Sequence, residues 1–589
     1  LFFVVTLERP KSDCLAHRIS QAPKPNLRAH QHKMDSSDRS QSATEAYDIE
    51  AKEMHETTWS STSSSNASLR STKREESPDS QNDHTVAFAD LEPTASRSIP
   101  PPPRSQSAFF DPDFEIKWEE NDVENPKNWS VWRKAHTIFA CTVASCTVVL
   151  YSSAYTSGIS GAHSMTAELD VPNSTVSLLG LTTYLFGMAA GSMIWAPLSE
   201  MLGRRPVYIA TLFAFMFFIL PCALAKNVGT ILVCRFFAAM VGCSVVSNSP
   251  GTINDVSTDK HRAFTFSIWC IGLMNGPVIG PLVGGFVFDN LGWRWIHWLT
   301  LILAGVSFLL MATVPETYGP TLLRRRTEKK RKETGDVQWW SKHDEKRAFW
   351  PLLGASLWRP IYLTASEPIL WFWDLYILII YSMNYLTFVI YPRVFEGLRG
   401  WSTGQTGLSY LGIGVGNVLV IACEPLLRKM VQRKKLDANG KPTPESPVFI
   451  VCIGACLVPI GGLVFAWTCT PDVHYIWPIL SGIPFGAGTT ATFIYGSNYI
   501  GRSYGMYAAS AMAGNVLTRT IAGGTLPLAG AAMYNALGPH WQGTLLGLLE
   551  VLIVPIPFVF YKYGHLIRLK SKFISRMEQE AKGGEKGGA

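Results

Sequence analysis

The 589-residue sequence has few charged residues for its length: Asp, Glu, Lys and Arg make up 16% of it, whereas apolar residues make up 47%. The charges are also unevenly spread. Residues 1–133 are rich in Ser, Pro and charged residues, and the remainder alternates apolar stretches with short polar ones. Each apolar stretch has about 20 residues, which is enough for a helix to cross a bilayer. The pattern argues against a soluble protein and predicts an all-α polytopic membrane protein.

The sequence also lacks the patterns of several common sites. Its 11 cysteines occur one at a time, without the spacing of a metal site or a disulfide framework. A bridge between Cys222 and Cys469 is the less favoured alternative to free thiols. No GxxxxGKS or GxxxxGKT loop is present to hold ATP phosphates. We therefore expect no enzymatic activity, no cofactor and no metal, and the net charge of +7 is better explained by cytoplasmic loops than by a nucleic-acid partner.

Composition divides the chain into five regions. The Ser-rich and mixed-charge start is typical of a disordered tail, and we expect the native chain to begin at Met34, after residues 1–33. The expected regions are a cytoplasmic N-terminal region at 1–133, a first six-helix bundle at 134–314, a cytoplasmic linker at 315–364, a second six-helix bundle at 365–562 and a cytoplasmic tail at 563–589.

Twelve apolar runs are predicted to cross the membrane. Lys and Arg are concentrated in the loops of one side, including 324–332 and 428–435, and the positive-inside rule assigns that side and both termini to the cytoplasm. The glycosylation sequon at Asn173 would face outward, but it adjoins the second span, so poor modification is expected. The predicted spans are 135–159, 174–195, 207–225, 229–249, 263–288, 296–314, 368–391, 404–423, 448–469, 475–495, 504–530 and 541–561.

The loop WAPLSEMLGRRPVY, at 195–208, joins the second and third predicted spans, and we call it the latch loop. Gly203 permits a tight reversal, and Arg204 and Arg205 complement the carbonyl end of the preceding helix. Glu200 supplies the opposite charge. An ordinary positive-inside turn explains the arginines but not the added acid and glycine at this spacing. The combination favours a functional loop.

The latch loop resembles the PLSE-x-x-GRRP signature of the major facilitator superfamily, in the form found in 12-spanner fungal drug:proton antiporters, although the family normally has Gly where Ala196 stands. NPKNWS at 125–130 resembles the entry motif of the same antiporters. The resemblance implies two pseudo-symmetric six-helix bundles with a substrate site between them at the midplane. It also implies a latch whose salt bridges hold one conformation, and Asp255 is the candidate partner of Arg204.

The predicted fifth span contains GLMNGPVIGPLVGG at 272–285, where glycine recurs every four residues. Such spacing leaves one helix face without side chains and permits close approach of another helix. Packing alone explains the glycines, whereas glycines, paired prolines and Asn275 together resemble the antiporter motif of the family. The motif residues are Gly272, Gly276, Pro277, Gly280, Pro281 and Gly284.

Three ionisable residues in or beside predicted spans are candidates for proton coupling. Charged groups in lipid are costly and usually face a cavity or a partner. Asp374 lies about two turns into the seventh span and is the preferred proton carrier. Glu367, at the start of that span, fits a hydrated and ionised carboxylate better than a carrier. For Arg235, in the fourth span, the resemblance implies a place in the proton pathway.

Aromatic and polar residues of several spans are candidates for the substrate cavity. Tyrosine rings stack on flat or cationic molecules, although positions in the interfacial aromatic belt explain most tyrosines equally well. Arg519 has three open roles: binding an anionic substrate, neutralising Asp374, or packing as a structural cation. Glu550, in the middle of the last span, departs from the family pattern. The cavity candidates are Tyr184, Asn275, Tyr381, Tyr385, Tyr495, Asn498 and Arg519.

Motifs and resemblance together predict proton-coupled efflux of an amphipathic organic compound, such as a drug, toxin or secondary metabolite, by alternating access. A polyamine exporter and an uptake symporter are alternatives with the same fold, and a non-transporting membrane sensor is an alternative of another class. The expected partners are a lipid bilayer, a small organic substrate and protons. We expect a monomer in the plasma membrane, with the vacuolar membrane as the alternative location.

Overall fold

The computed structural model describes residues 114–574, except 120, 160, 162–163, 172–173, 259–260, 345–348, 434–442 and 572. The described chain is helical, and within it a single β-bridge joins Glu115 to Trp340. The described residues do not include the part of the expected N-terminal region before residue 114, which contains Met34. They also do not include the sequon residue Asn173.

Six long helices follow the first six predicted spans. Two of the reversals between them are made by single glycines, Gly203 and Gly292, whose φ angles are 100° and 84°. This backbone region strains any residue that has a Cβ atom, so glycine is what permits the immediate turn. The helices are α1 (Val131–Ala154), the short α2 (Met165–Glu168), α3 (Ser174–Leu202), α4 (Arg204–Ala223), α5 (Val228–Val256), α6 (Arg262–Leu291) and α7 (Trp293–Ala312).

The connection between the two sets of long helices, predicted as a cytoplasmic linker, contains α8 (Gly319–Thr334) and α9 (Phe349–Ser366). The basic helix α8 is held by ion pairs, with Arg326 next to Asp122 and Arg331 Nη2 2.7 Å from Asp344 Oδ2. The apolar helix α9 packs against α3. Charge pairing therefore positions α8, and apolar packing positions α9.

The second half is more broken than the first. α10 continues into a π-helical turn, Arg393–Leu398, and a second π-helical turn, Thr492–Gly496, interrupts the tenth predicted span. The helices are α10 (Pro368–Pro392), α11 (Thr403–Leu408), α12 (Leu411–Ala422), α13 (Glu424–Gln432), α14 (Val448–Thr468), α15 (Ile476–Leu480), α16 (Gly482–Ala491), α17 (Ser497–Tyr504), α18 (Ala508–Ile553) and α19 (Pro555–Lys570).

Ten segments of the described chain are long and apolar enough to cross a membrane. One of them, Ala508–Lys570, has 63 residues, about three times what one crossing needs. It is divided at Gly538, where φ is 73° and ψ is 172° and Pro539 begins a new helix. The tenth predicted span is not among these ten segments, because it is divided into the short helices α15, α16 and α17. With these two corrections the described chain makes twelve crossings, as predicted, in two sets of six.

Because consecutive crossings are antiparallel, the connections fall at two ends, which we call the Gly203 end and the Gly292 end. The two halves meet along α3 and α18, and along α6 with α11 and α12. Thr182 Oγ1 donates to the Gly524 carbonyl at 2.7 Å, and Asn417 Nδ2 donates to the Met274 carbonyl at 3.0 Å. These contacts define the interface in which a site between the halves is to be sought.

Candidate functional site

At the Gly203 end, the latch loop brings Arg204 close to Asp255. The Arg204 side chain is almost fully buried, its Nε lies 3.5 Å from Asp255 Oδ2, and its Nη1 donates to Ser199 Oγ. Arg205 donates instead to the Ala312 carbonyl at 3.0 Å, and Glu200 is exposed. Arg204 and Asp255 are therefore neighbours, whereas Glu200 and Arg205 lie at the edge of this group.

A second acid, Glu316, completes the latch loop and was missed by the sequence reasoning. Glu316 Oε1 accepts the backbone N–H of Arg204 at 2.9 Å and of Thr317 at 3.0 Å, and Oε2 accepts the backbone N–H of Arg205 at 3.2 Å. It thus satisfies the first amides of α4, which have no partner within the helix. A Cβ at Gly203 would meet this carboxylate. The sequence signal that could have identified Glu316 is its position two residues after the end of the predicted sixth span.

The glycine face of α6 packs on α1, in the same half of the molecule. A Cβ at Gly272 would meet the Thr142 carbonyl, and one at Gly276 or Gly284 would meet α1 backbone. Pro277 and Pro281 lie inside the same helix, and Gly280 opposes Ser153. The motif glycines therefore allow two helices of one half to touch along their backbones.

The neighbouring positions Asn275 and Gly285 face the other half. Gly285 lies against the backbone of Thr403, at the start of α11, and Gly414 of α12 lies next to Asn275 and Val278. Asn275 Nδ2 donates to the Ile271 carbonyl of its own helix at 3.0 Å. α6 thus presents its glycine face to α1 and the adjacent face to the second half.

Arg235 of α5 is fully buried in a cage of three tyrosines. Its Cζ lies 4.0 Å from the ring centroid of Tyr155, 4.6 Å from that of Tyr151 and 4.8 Å from that of Tyr184. Nε donates to the Gly180 carbonyl at 2.8 Å, and Nη2 lies 3.3 Å from the Tyr151 and Ser152 carbonyls. Aromatic faces and carbonyl dipoles take the place of a carboxylate in stabilising this cation.

Asp374 lies at the contact of α10 with α18, and its side chain is only 4% exposed. Oδ1 accepts from Asn515 Nδ2 at 2.8 Å, and the Thr364 hydroxyl lies next to the same carboxyl. Arg519 follows Asn515 by one helical turn, lies close enough to Asp374 to attract it, and rests between the rings of Tyr381 and Phe493. No described residue accepts a hydrogen bond from Arg519 Nε.

Arg235 in the first half and Asp374 in the second are connected by a series of contacts across the interface between the halves. The backbone carbonyl of Ser152 accepts a hydrogen bond from Arg235. The hydroxyl of the same residue lies 3.2 Å from the Tyr385 hydroxyl of the second half. The ring centroids of Tyr385 and Tyr381 are 4.9 Å apart, and Arg519 lies over Tyr381. We call the sequence Arg235, Ser152, Tyr385, Tyr381, Arg519, Asn515 and Asp374 the polar chain.

The other candidates lie apart from the polar chain, except Tyr184. Tyr184 belongs to the cage of Arg235 and donates its hydroxyl to the Val148 carbonyl at 2.7 Å. Tyr495 is in the second π-helical turn, near Glu424 and Arg428, and Asn498 is half-buried in α17. Glu367 is buried beside the Ser571 hydroxyl, 2.8 Å away, and burial raises the pKa of its carboxyl above the ordinary value.

Near the Gly292 end, a cavity of about 60 Å³ lies between the halves. Thr156 and Ser157 line it from the first half, and Phe388, Arg393 and Glu396 line it from the second. Asp289 of α6 bridges the halves close by, since its Oδ2 accepts the backbone N–H of Gly404 at 2.7 Å. This end is therefore closed by direct contact between α6 and α11.

Twelve crossings in two sets of six, with buried polar groups at the interface between them, define a polytopic membrane transporter. Residues 143–527 match the family model of the Major Facilitator Superfamily, and the chain belongs to this family. It is therefore an integral membrane protein that lies in a lipid bilayer and moves a small molecule, and it is not an enzyme.

Named relatives are similar over most of the chain. The "Major facilitator superfamily multidrug transporter mdrA" of Aspergillus fumigatus is 37% identical over 469 residues, which are 79% of this chain and 76% of that protein. The "Citrinin biosynthesis cluster MFS transporter mrr1" of Monascus ruber is 36% identical over 465 residues, 78% of this chain and 92% of that protein.

A solved structure agrees with this fold. The proton:xylose symporter XylE superposes with a TM-score of 0.54 at 15% identity, covering 74% of this chain and 96% of that one. At this level of identity the likeness shows the fold alone.

Proposed function

We propose that the protein exports an amphipathic organic compound, such as a drug, toxin or secondary metabolite, in exchange for protons. Relatives named as a multidrug transporter and as a transporter of a biosynthesis cluster support export of this class of molecule. The proposal includes a monomer in the plasma membrane with both termini in the cytoplasm. The positive charge of the loops at the Gly203 end supports the cytoplasmic position of the termini.

The polar chain is the observation that carries this proposal. Facilitator transporters bind substrate near the midplane between their halves, and the polar chain crosses that interface at the Ser152–Tyr385 contact. When the halves move apart, this contact must break. The second-half end of the polar chain is Asp374, a buried carboxyl whose Oδ1 accepts from Asn515.

Alternate binding of proton and substrate follows from the charge of Asp374. An ionised carboxylate attracts the polar or positive part of an amphipathic molecule, and a bound proton removes that attraction. Each ligand therefore weakens binding of the other, which is the reciprocal coupling that exchange requires. Arg519 next to Asp374 lowers the cost of the ionised form, because it supplies a nearby positive charge.

The latch loop has a separate role in this proposal. The contacts of Arg204 and Asp255 join α4 to α5, and the contact of Arg204 with Glu316 joins α4 to the start of the linker after α7. They hold α4, α5 and the segment that follows α7 to one another at the Gly203 end, so that the first half rocks as a rigid unit.

The test is substrate efflux in pump-deficient yeast and from proteoliposomes with an imposed pH gradient. Asp374→Asn keeps the size of the side chain and its bond to Asn515 but cannot take up a proton. We expect it to lose the stimulation by the pH gradient, by at least about tenfold, the factor that corresponds to one pKa unit. Glu367→Gln, at the adjoining helix start, is the matched control and should keep coupling.

Full coupling in Asp374→Asn would remove this residue from the proton role. Accumulation of the compound inside the cells, instead of its loss, would indicate an uptake symporter, and export confined to polyamines would indicate a polyamine exporter. Unchanged levels across a broad panel of compounds would favour the membrane sensor.

A further inference from the structure

Glu550 is a buried acid that lies away from the polar chain. It is in the part of α18 that follows Gly538, and its side chain is 3% exposed. It faces a cavity of about 60 Å³ that is lined by α10, α14, α16 and α18 and therefore lies within the second half. Leu386, Phe465 and Phe485 are among the residues that surround the carboxyl there.

No positive charge balances this carboxyl. Among the described residues, no Lys, Arg or His lines the cavity, and Glu550 Oε2 has no hydrogen-bond partner. The titratable groups nearby are Tyr391 in the cavity wall and Tyr376, whose ring also lies near Cys452 and Cys456. The described part of α16 contributes Phe485 to the wall and no titratable group.

An isolated carboxylate at this depth is costly, on the order of 3 kcal/mol on insertion scales. A protein that retains the carboxyl must supply a partner, which is a proton, a metal cation or a cationic organic molecule. The chemistry and the size of the cavity distinguish these three.

Size excludes an organic ligand, since drug-sized molecules need roughly 300–1,000 Å³. A hard metal cation needs about six oxygen ligands, and no group of three or more His, Cys, Asp or Glu occurs among the residues described. The hydroxyls of Thr387 and Ser481, which also line the cavity, already donate to backbone carbonyls. A water molecule, by contrast, needs only about 10–15 Å³, so the space admits a few.

We propose that Glu550 and this cavity form a second proton-binding site, in which the carboxyl holds a proton and is hydrated by a few water molecules in the cavity. The site belongs to the second half alone and is separate from Asp374. It sits where α18 approaches α14, because the carboxyl lies against Gly462 and the neighbouring Gly547 packs on Leu463. Loss of the proton draws water between these two helices and loosens their contact.

Infrared difference spectroscopy of the full chain in lipid nanodiscs tests this site without any substrate. A protonated carboxyl gives a C=O stretching band that a carboxylate lacks. We expect wild type minus Glu550→Gln to show the band of one protonated carboxyl at neutral pH. The band should shift in heavy water because the carboxyl proton exchanges for deuterium through the water in the cavity. The same band should persist in Asp374→Asn, so failure of the transport proposal leaves this result unaffected.

Glycine variants attribute the band to Glu550 even where Glu550→Gln does not fold. An added Cβ at Gly462 would lie 2.9 Å from Glu550 Oε2, whereas one at Gly305 would meet nothing within 4 Å. Gly462→Ala should therefore shift the band, and Gly305→Ala should not. An absent difference band, a band that Gly462→Ala leaves in place, or a band without response to heavy water would each overturn the proposal.

Discussion

The two buried arginines of the polar chain differ in what surrounds their guanidinium groups. Arg235 has carbonyl acceptors on α1 and α3 and three tyrosine faces. Arg519 rests between two rings, and its Nε has no acceptor in the described structure. Arg235 therefore ties three helices of the first half together, whereas Arg519 remains available to Asp374 or to a ligand.

Arg235→Lys should destabilise the protein more than Arg519→Lys. An ammonium group is a point charge that cannot reproduce the planar fork of the guanidinium, so the bonds to the Gly180 and Ser152 carbonyls are not both kept. We expect a loss of about 3 kcal/mol for Arg235→Lys, the order of a broken buried charge network. Thermal unfolding monitored by size-exclusion chromatography measures it, and equal losses in the two variants would contradict this assignment.

Glu367 makes a pH-dependent contribution to stability. Burial raises the pKa of its carboxyl above the ordinary value of 4.5, while the Ser571 and Tyr504 hydroxyls oppose the change. The folded state then binds the proton more tightly than the unfolded chain does. Stability from this group is fully present below about pH 4.5 and declines as the pH rises through the raised pKa.

Glu367→Gln removes this titration. The variant should unfold at the same temperature as the wild type at low pH, and at an equal or higher temperature at neutral pH, because the wild type then holds a buried carboxylate. Glu333→Gln, which changes an exposed acid on α8, is the control and should follow the wild type. If Glu367→Gln were less stable than the wild type only at neutral pH, ionised Glu367 would stabilise the folded state, and the argument would be refuted.

At the scale of helices, Gly203 and Gly292 make the same kind of reversal in different surroundings. Both have a positive φ, but a Cβ at Gly203 would meet the Glu316 carboxylate, whereas one at Gly292 would meet nothing within 4 Å. Gly292→Ala thus measures backbone strain alone, about 1–2 kcal/mol. Gly203→Ala adds the displacement of a helix cap, a further ~1 kcal/mol.

Chemical unfolding of the two glycine variants in detergent provides the measurement. The loss of stability should be larger for Gly203→Ala than for Gly292→Ala. In a Glu316→Ala background the two losses should become equal, because the carboxylate that the new Cβ displaces is then absent. Equal losses in the wild-type background would show that Glu316 does not depend on a glycine at this turn.

Helix boundaries illustrate how far sequence patterns reach. The apolar runs placed all twelve crossings, but α3 continues to Leu202 although its predicted span ended at 195. Hydropathy marks the part of a helix that suits lipid, while backbone hydrogen bonds continue through the polar turns that follow. The break of α18 at Gly538 lies between the predicted spans 504–530 and 541–561, so the sequence indicated it. The π-helical turn Thr492–Gly496 had no such signal, because its side chains are as apolar as those of a regular helix.

At the scale of the whole molecule, a hydrogen bond between Asp289 and Gly404 joins the two halves at the Gly292 end. Asp289→Ala removes the acceptor of the Gly404 N–H, a bond between the halves. A hydrogen bond of about 1 kcal/mol changes an equilibrium about fivefold. We therefore expect opening at this end to become about fivefold more frequent.

Labelling of Thr156→Cys with a membrane-impermeant thiol reagent reports this opening, because Thr156 lines the cavity between the halves. The labelling rate should rise in Asp289→Ala and stay unchanged in Asp472→Ala, which alters an exposed acid between α14 and α15. A rate that does not respond to Asp289→Ala would show that other contacts close this end.

Sequence by itself determined the family, the twelve crossings and the positions of the latch loop and of Asp374, because helix length, apolar composition and short motifs are local properties of the chain. Only the tertiary structure decided that Arg235 is caged by tyrosines, that Glu316 caps α4 and that Ser152 meets Tyr385 across the halves. These contacts depend on the rotation and register of helices distant in sequence. Packing over whole helix faces sets that rotation, and no single segment encodes it.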